Sequence, residues 1–347
     1  MGFTPWIPSS IYMRYEAGAT FEGNTLKTVS GTMREVVRKT LRYATSFLLI
    51  ISLNFALPRL MPGDPVKNLI GEDVYVSEAV MEELRIEMGL NRPLYEQFTA
   101  YIGDLLRFNL GYSYHLHSPV AEVLRERIGW TLLFVGVSIF LGAALGTLLG
   151  AYAGWKPETK ANRLICYGFI ALSCTPPYFL ALICLDIFAF ELGLFPFKGF
   201  YDVPTPGSVM YHMFLPVTVM ALFSASRNFL IMRGSVIQEK GQLYALYARA
   251  KGLYDISILF RHVIKNASLP IITLLALDFG FLFSGALFTE IVFSLNGMGT
   301  LIYDAIIGKD YPVLQGSFLV IALAVLLANM LADLLYAIAD PRVRRPT

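Results

Sequence analysis

The 347-residue chain is 55% hydrophobic and only 16% charged, against about 45–50% and about 25% in soluble domains, which makes it a membrane protein. A net charge of +2 excludes the strongly basic balance that nucleic-acid binding requires, and the long apolar runs leave no room for a separate catalytic domain. Residues 1–33 are mixed polar and aromatic, without the order of a cleaved leader, and carry no functional signal.

Six runs are long and apolar enough to span a bilayer: 43–61, 130–153, 164–190, 213–232, 268–289 and 313–338. In lipid each must be a helix, because a helix satisfies its own backbone groups. Arg34, Arg38, Lys39 and Arg42 precede the first run, and Lys156, Lys160 and Arg163 fill the second connection. Arg233, Lys240, Arg249, Lys251, Arg261 and Lys265 crowd the fourth connection, and Arg342, Arg344 and Arg345 end the chain. The positive-inside rule puts these four regions, and so both termini, in the cytoplasm of a prokaryotic cell membrane. The expected organisation is an all-α polytopic bundle: a polar extension at 1–33, a first transmembrane helix at 34–62, an extracytoplasmic loop at 63–128, a core at 129–340 and a cytoplasmic tail at 341–347.

The outer loop carries eleven carboxylates against six cations, an acidic surface suited to docking a partner. Its punctuation predicts helices. Ser77 is placed to cap one that Gly89 ends, Asn91 with Pro93 to start a second, and Ser118 with Pro119 to start a third that enters the second span. His115 and His117 lack the further histidines a metal site needs and read as loop residues.

Gly142, Gly146, Gly150 and Gly154 recur every four residues in the second span, a smooth helix face for close packing. The third span holds Cys166, Cys174 and Cys184, read as small hydrophobes with no disulfide implied. Pro176 and Pro177 should kink it beside Ser173 and Thr175, so Ser173, Pro176 and Pro177 are candidates for lining a pathway. The ionisable residues within spans are Asp186, Arg227, Asp278, Glu290 and Asp333, each a candidate for a pathway or for helix packing. Asp278, mid-span, is the pathway candidate. Arg227 is close enough to the cytoplasmic end to snorkel, and Asn329 with Asp333 should bond a neighbouring helix.

Between the fourth and fifth spans lies "YALYARAKGL", too short and too polar to cross. Leu243, Leu246, Tyr247 and Ala250 fall on one apolar face of a short helix that Gly252 is placed to end, while Arg249 and Lys251 project elsewhere. The sequence has no phosphate-binding loop, no HExxH and no GxSxG, so the chain reads as no enzyme, with no cofactor or metal of its own.

"FALPRLMPGDP" (55–65), "MGLNRPLYEQF" (88–98), "NLGYSYHLHSPV" (109–120), "ARAKGL" (248–253), "RHVIKNASLP" (261–270), "TEIVFSLNGMGTLIYDAIIGKDYPVLQG" (289–316) and "NMLADLLYAIADPR" (329–342) occur in that order. In order and spacing they resemble the B-type permease subunits of the dipeptide, oligopeptide and nickel importers of the ATP-binding-cassette class, from about residue 38 to 344. The resemblance implies a type I importer transmembrane domain. It implies as partners a second, homologous permease subunit, two ATPase subunits that bind ATP and Mg, and an extracytoplasmic solute-binding protein delivering peptides, oligosaccharides or metal chelates. It also implies that about 240–266 is the coupling loop that grips an ATPase, through Tyr244, Ala245, Tyr247, Ala248, Arg249, Ala250, Lys251, Gly252 and Leu253. The family's Glu-Ala-Ala then Gly signature falls on Leu246, Tyr247, Ala248 and Gly252, of which only the last two match, so Arg249 and Lys251 take over orienting the loop. Gly297 and Gly299 form the outer turn, with Leu295 and Asn296 replacing the usual aromatic-proline pair. The alternative, a secondary transporter or channel without ATPases, calls for an inverted repeat or broken helices in both halves, whereas the one mid-membrane proline pair is in the third span.

Overall fold

The computed structural model describes residues 37–57, 59, 60, 66, 77–87, 90–113, 115–280 and 282–339. The polar extension at 1–33, Gly89 and the basic tail at 341–347 lie outside these residues. Nearly all of the described chain is helical. Val37–Leu57 is α1, Glu78–Glu87 α2, Leu94–Leu106 α3 and Val120–Trp155 α4. Lys160–Cys174 is α5, Pro177–Glu191 α6, Pro206–Lys240 α7 and Leu243–Ala250 α8. Asp255–Ala267 is α9, Leu269–Gly280 α10, Leu282–Val292 α11, Met298–Ile307 α12 and Tyr311–Ala339 α13. Two short strands, β1 (Tyr112–Ser113) and β2 (Ser118–Pro119), pair antiparallel.

The centre of the bundle is the contact between α4 and α7. A Cβ built on Gly142, Gly146, Gly150 or Gly154 would fall 2.6, 2.4, 2.6 or 2.7 Å from the carbonyl oxygens of Ala221, Ala225, Phe229 and Arg233. Each step of four on α4 is thus matched by a step of four on α7. The two helices run the same way in register, as they must if α5 and α6 carry the chain back once between them. Only hydrogen on Cα fits at such a distance, and the resulting Cα–H···O contacts contribute about 0.5–1 kcal/mol each. Small residues are what permit this approach in a membrane, where apolar burial gives no advantage over lipid.

Four helices are individually long and apolar enough to cross, and two bent pairs bring the number to six. The kink expected in the third span is a full break: Thr175 and Pro176 are extended (ψ 124° and 139°), and α5 and α6 meet at 103°. The cause is local. Each proline removes a donor and pushes its predecessor out of the helical region. A second bend, 48° at Ser268 between α9 and α10, was not expected from the sequence. The described part of the fifth run is helical, over Leu269–Gly280 and Leu282–Val292.

α2 follows Ser77, whose hydroxyl accepts from Val80 N at 3.4 Å. The helix expected from Ser118 begins instead at Val120, because Ser118 and Pro119 are taken up in β2. His115 and His117 stand in the connection between β1 and β2, and the Ser113 hydroxyl of β1 donates to Asp310, the residue before α13. α1 is clamped at both ends. Near one, Asn54 Nδ2 donates to Tyr101 Oη (3.1 Å) and to Gln315 O (2.9 Å). At the other, Asp333 of α13 accepts from Arg42 (3.0 Å) and Tyr43 (2.9 Å), the interhelix bond expected of it.

Gly146→Ala is expected to destabilise the detergent-solubilised protein by about 1–3 kcal/mol, since overpacking must part the backbones. Gly136→Ala, on the same helix but with open space at its Cβ, should leave the melting temperature unchanged. Thermal denaturation followed by size exclusion compares the two.

Candidate functional site

The short helix between the fourth and fifth spans is present as α8. It ends as the sequence predicts: Gly252 takes φ +79°, Gly252 N donates to Arg249 O (2.9 Å) and Leu253 N to Ala248 O (3.3 Å). These are the paired bonds of a Schellman cap, which favours glycine in the left-handed region.

The face that packs is not the predicted one. Ala245 and Ala248 are buried (4% and 7% exposed), while Leu243, Leu246 and Tyr247 stand 70%, 49% and 67% exposed, with Ala250 and Lys251 also outward. The reason is proximity: α8 lies close against the base of the bundle, where only methyl side chains fit. Its seat is the cluster of Ala151 and Trp155 from α4, Met232 and Val236 from α7, and Ile258, Leu259 and Val263 from α9.

Polar bonds fix the seat. Tyr244 Oη donates to Glu239 Oε2 at 2.5 Å. Burial first, then this bond, holds the Tyr244 phenol above its ordinary pKa, so it remains a donor. Lys240 Nζ donates to the Trp155 carbonyl at 2.8 Å. Arg249 pairs with Asp255 at 3.2 Å and lies 5.7 Å from the Trp155 ring centre. Arg249 is thus held between Asp255 and Trp155, whereas Lys251 is exposed beside the cap.

The other candidates are not brought into this site. Pro176 and Pro177 form the break between α5 and α6, with Ser173 donating to Ile170 O at 2.8 Å within α5. Asp278 of α10 accepts from Arg227 of α7. The expectation that Arg227 snorkels to the surface is corrected here: an acidic partner on a neighbouring helix holds it.

Gly297 and Gly299 begin α12, a helix the sequence reading did not anticipate. Glycine 297 has no side chain to cap it, and Glu290 of α11 does so from outside. Its carboxylate accepts from Gly299 N (2.7 Å), Thr300 N (3.3 Å) and the Thr131 hydroxyl (2.6 Å), while Thr131 Oγ1 accepts from Met298 N (2.8 Å). Gly297 N donates to Thr300 Oγ1 at 3.1 Å, so the first donors of the helix are all bonded, with a negative charge where the helix dipole favours one. Both glycines are needed for the approach. A Cβ on Gly297 would fall 2.4 Å from the carboxyl group, and one on Gly299 2.6 Å from Leu287 Cα. Glu290 and Thr131 are 0% exposed. Sequence reasoning marked Glu290 as an intramembrane charge but had no signal for Thr131, which lies far off in the chain.

Residues 146–345 match the family model described as binding-protein-dependent transport system inner membrane component. The chain belongs to this family. A putative peptide permease protein of Brucella suis biovar 1 is 34% identical over 86% of this chain and 94% of its own length. A probable peptide permease protein of an ATP-binding-cassette transporter in Sinorhizobium fredii is 32% identical over 84% and 92%. The oligopeptide transport system permease protein AppB of Bacillus subtilis is 31% identical over 89% and 98%. The protein is therefore a multi-pass permease component of an importer in the inner membrane, and the resemblance read from its motifs is borne out.

Glu290→Ala and Thr131→Val are expected to be non-additive in thermal stability, with a coupling energy of about 0.5–3 kcal/mol, because they belong to one bonded network. A double-mutant cycle on the purified permease measures it.

Proposed function

We propose that this chain forms half of the pore of an ATP-binding-cassette importer for peptides. The peptide substrate is favoured by the names of its relatives, which are peptide or oligopeptide permeases. In this reading a solute-binding protein delivers the peptide to the acidic outer loop, and a second, homologous permease completes the path. Two ATPase subunits, which bind ATP and Mg, close on nucleotide and pull on α8. Both termini and α8 are cytoplasmic, in line with the clustered cations.

The observation that carries the proposal is the division of α8 into two faces. Its alanines are sunk into the base of the bundle, and its large side chains, Leu243, Leu246 and Tyr247, are exposed. An exposed set of large apolar groups on a rigidly seated helix suits insertion into a partner's groove. Alternating access follows if ligand and nucleotide prefer different states of the paired permeases. Membership of a binding-protein-dependent family favours this reading over a transporter working without ATPases.

Leu246→Glu and Tyr247→Glu, both on the outward face, are expected to abolish co-purification of the ATPase subunits while leaving the permease folded. Gly252→Pro, which cannot take φ +79°, and Ala248→Glu, which forces a charge into the seat, should lose the ATPase and lower thermal stability as well. A chain that purifies alone and moves peptide into vesicles without ATP would overturn the proposal.

A further inference from the structure

The Arg227–Asp278 pair is the chemistry that neither α8 nor the outer turn uses. Both residues lie within apolar runs that cross the membrane, and Asp278 stands nine residues, about 14 Å at helical rise, beyond the start of α10. The Asp278 side chain is 10% exposed and that of Arg227 is 42% exposed. Arg227 donates through Nη2 to Asp278 Oδ1. Its Nε and the Asp278 Oδ2 are buried without a hydrogen-bond partner.

The surroundings limit what the exposed part of the guanidinium can meet. α7 is buried along Ala221, Ala225 and Phe229, where α4 covers it, and Ser224, Ser226 and Asn228 are buried too. Phe223, Arg227, Ile231 and Gly234, at the three- and four-residue spacing of one helix face, remain half-buried or exposed, as do the flanking Leu222 and Leu230. A charge turned toward hydrocarbon is costly, so a guanidinium on this face favours protein or an aqueous cavity opposite it over open lipid. An unpaired arginine on this face would extend its long stem toward the headgroups. Asp278 prevents that and keeps the donor group in place.

We propose that Arg227 lines the translocation path and binds a carbonyl or carboxylate oxygen of the passing peptide, with Asp278 as its positioning residue. The inference rests on the peptide-importer reading above. The guanidinium carries donors only, so its ligand must present an acceptor, and its planar fork matches a carboxylate or a peptide carbonyl. Asp278 also balances the charge at rest. The peptide is therefore held by a net-neutral pair, weakly enough to leave, as conduction through a pathway requires.

The test uses the complete importer, with its partner subunits and binding protein, reconstituted in liposomes and supplied with a tripeptide either as the free acid or as its C-terminal amide. The double variant Arg227→Gln/Asp278→Asn removes both charges without leaving one unpaired. It is expected to assemble and to hydrolyse ATP at near the wild-type rate while peptide uptake falls about ten-fold or more, the loss of a charge-assisted hydrogen bond. A loss confined to the free acid identifies the terminal carboxylate as ligand, and an equal loss for both identifies a main-chain carbonyl. Undiminished uptake of both peptides overturns the inference. Ile231→Cys, which leaves the pair intact, covers the case in which the double variant does not assemble. A charged, membrane-impermeant thiosulfonate should label it faster than the parent chain, and peptide should slow that labelling; failure of either overturns the inference. If the wild-type importer takes up neither peptide, the peptide-importer reading itself fails, and the inference falls with it.

Discussion

Everything else in the fold depends on the glycine-to-carbonyl contact between α4 and α7. Four glycines spaced by one helical turn each face a backbone oxygen of the partner helix, and no side chain larger than hydrogen fits. In water such an interface would be supported by burying apolar area, but in lipid that advantage vanishes and close backbone approach has to replace it. The contact also sets direction. Two helices meeting in register over four successive turns are held parallel, and the chain between them must make one return crossing, which is the crossing that Thr175 to Pro177 break.

The same contact gives α8 its foundation. α8 rests on the last turns of α4 and α7, through Ala151, Trp155, Met232 and Val236, on either side of Gly154 and its partner Arg233. Lys240 and Arg249 both converge on Trp155, so a displacement of α8 acts on the two helices together. A handle attached to either helix alone would bend that helix; one attached to a locked pair moves the pair as a body. That is the mechanical requirement of the coupling proposed for α8, and packing alone would meet it.

How much of this was legible in the sequence differs from element to element. The glycine stripe, the position of α8 and its Gly252 cap were readable because each depends on local chemistry: residue size at a fixed spacing, or a backbone angle that favours glycine. The buried face of α8 was not, because periodicity assigns burial to the largest apolar residues, and here the available space admits only alanine. Arg227 failed for a related reason. Its partner lies 51 positions away, and reading one helix at a time favoured the membrane surface as its destination. The Glu290 clasp joins α4, α11 and α12, and no spacing rule reaches from Thr131 to Met298.

Two carboxylates, Asp278 within the fifth run and Glu290 just past its end, illustrate opposite answers to the cost of an acid in a low-dielectric region. Glu290 is wholly enclosed and satisfied by neutral donors, two backbone N–H groups and a hydroxyl, at the positive end of a short helix. Such donors move only if α12 or α4 moves, so the group binds α11 rigidly to both. Asp278 is paired with a single flexible cation and keeps one oxygen without a hydrogen-bond partner. An arrangement with unused bonding capacity on both partners costs stability that a fully bonded network would not. Retaining it beside this face of α7 makes sense where the remaining bonds are made in turn by something that arrives and departs. The first acid holds the fold still, and the second, under the proposal for Arg227, leaves bonding capacity for the cargo.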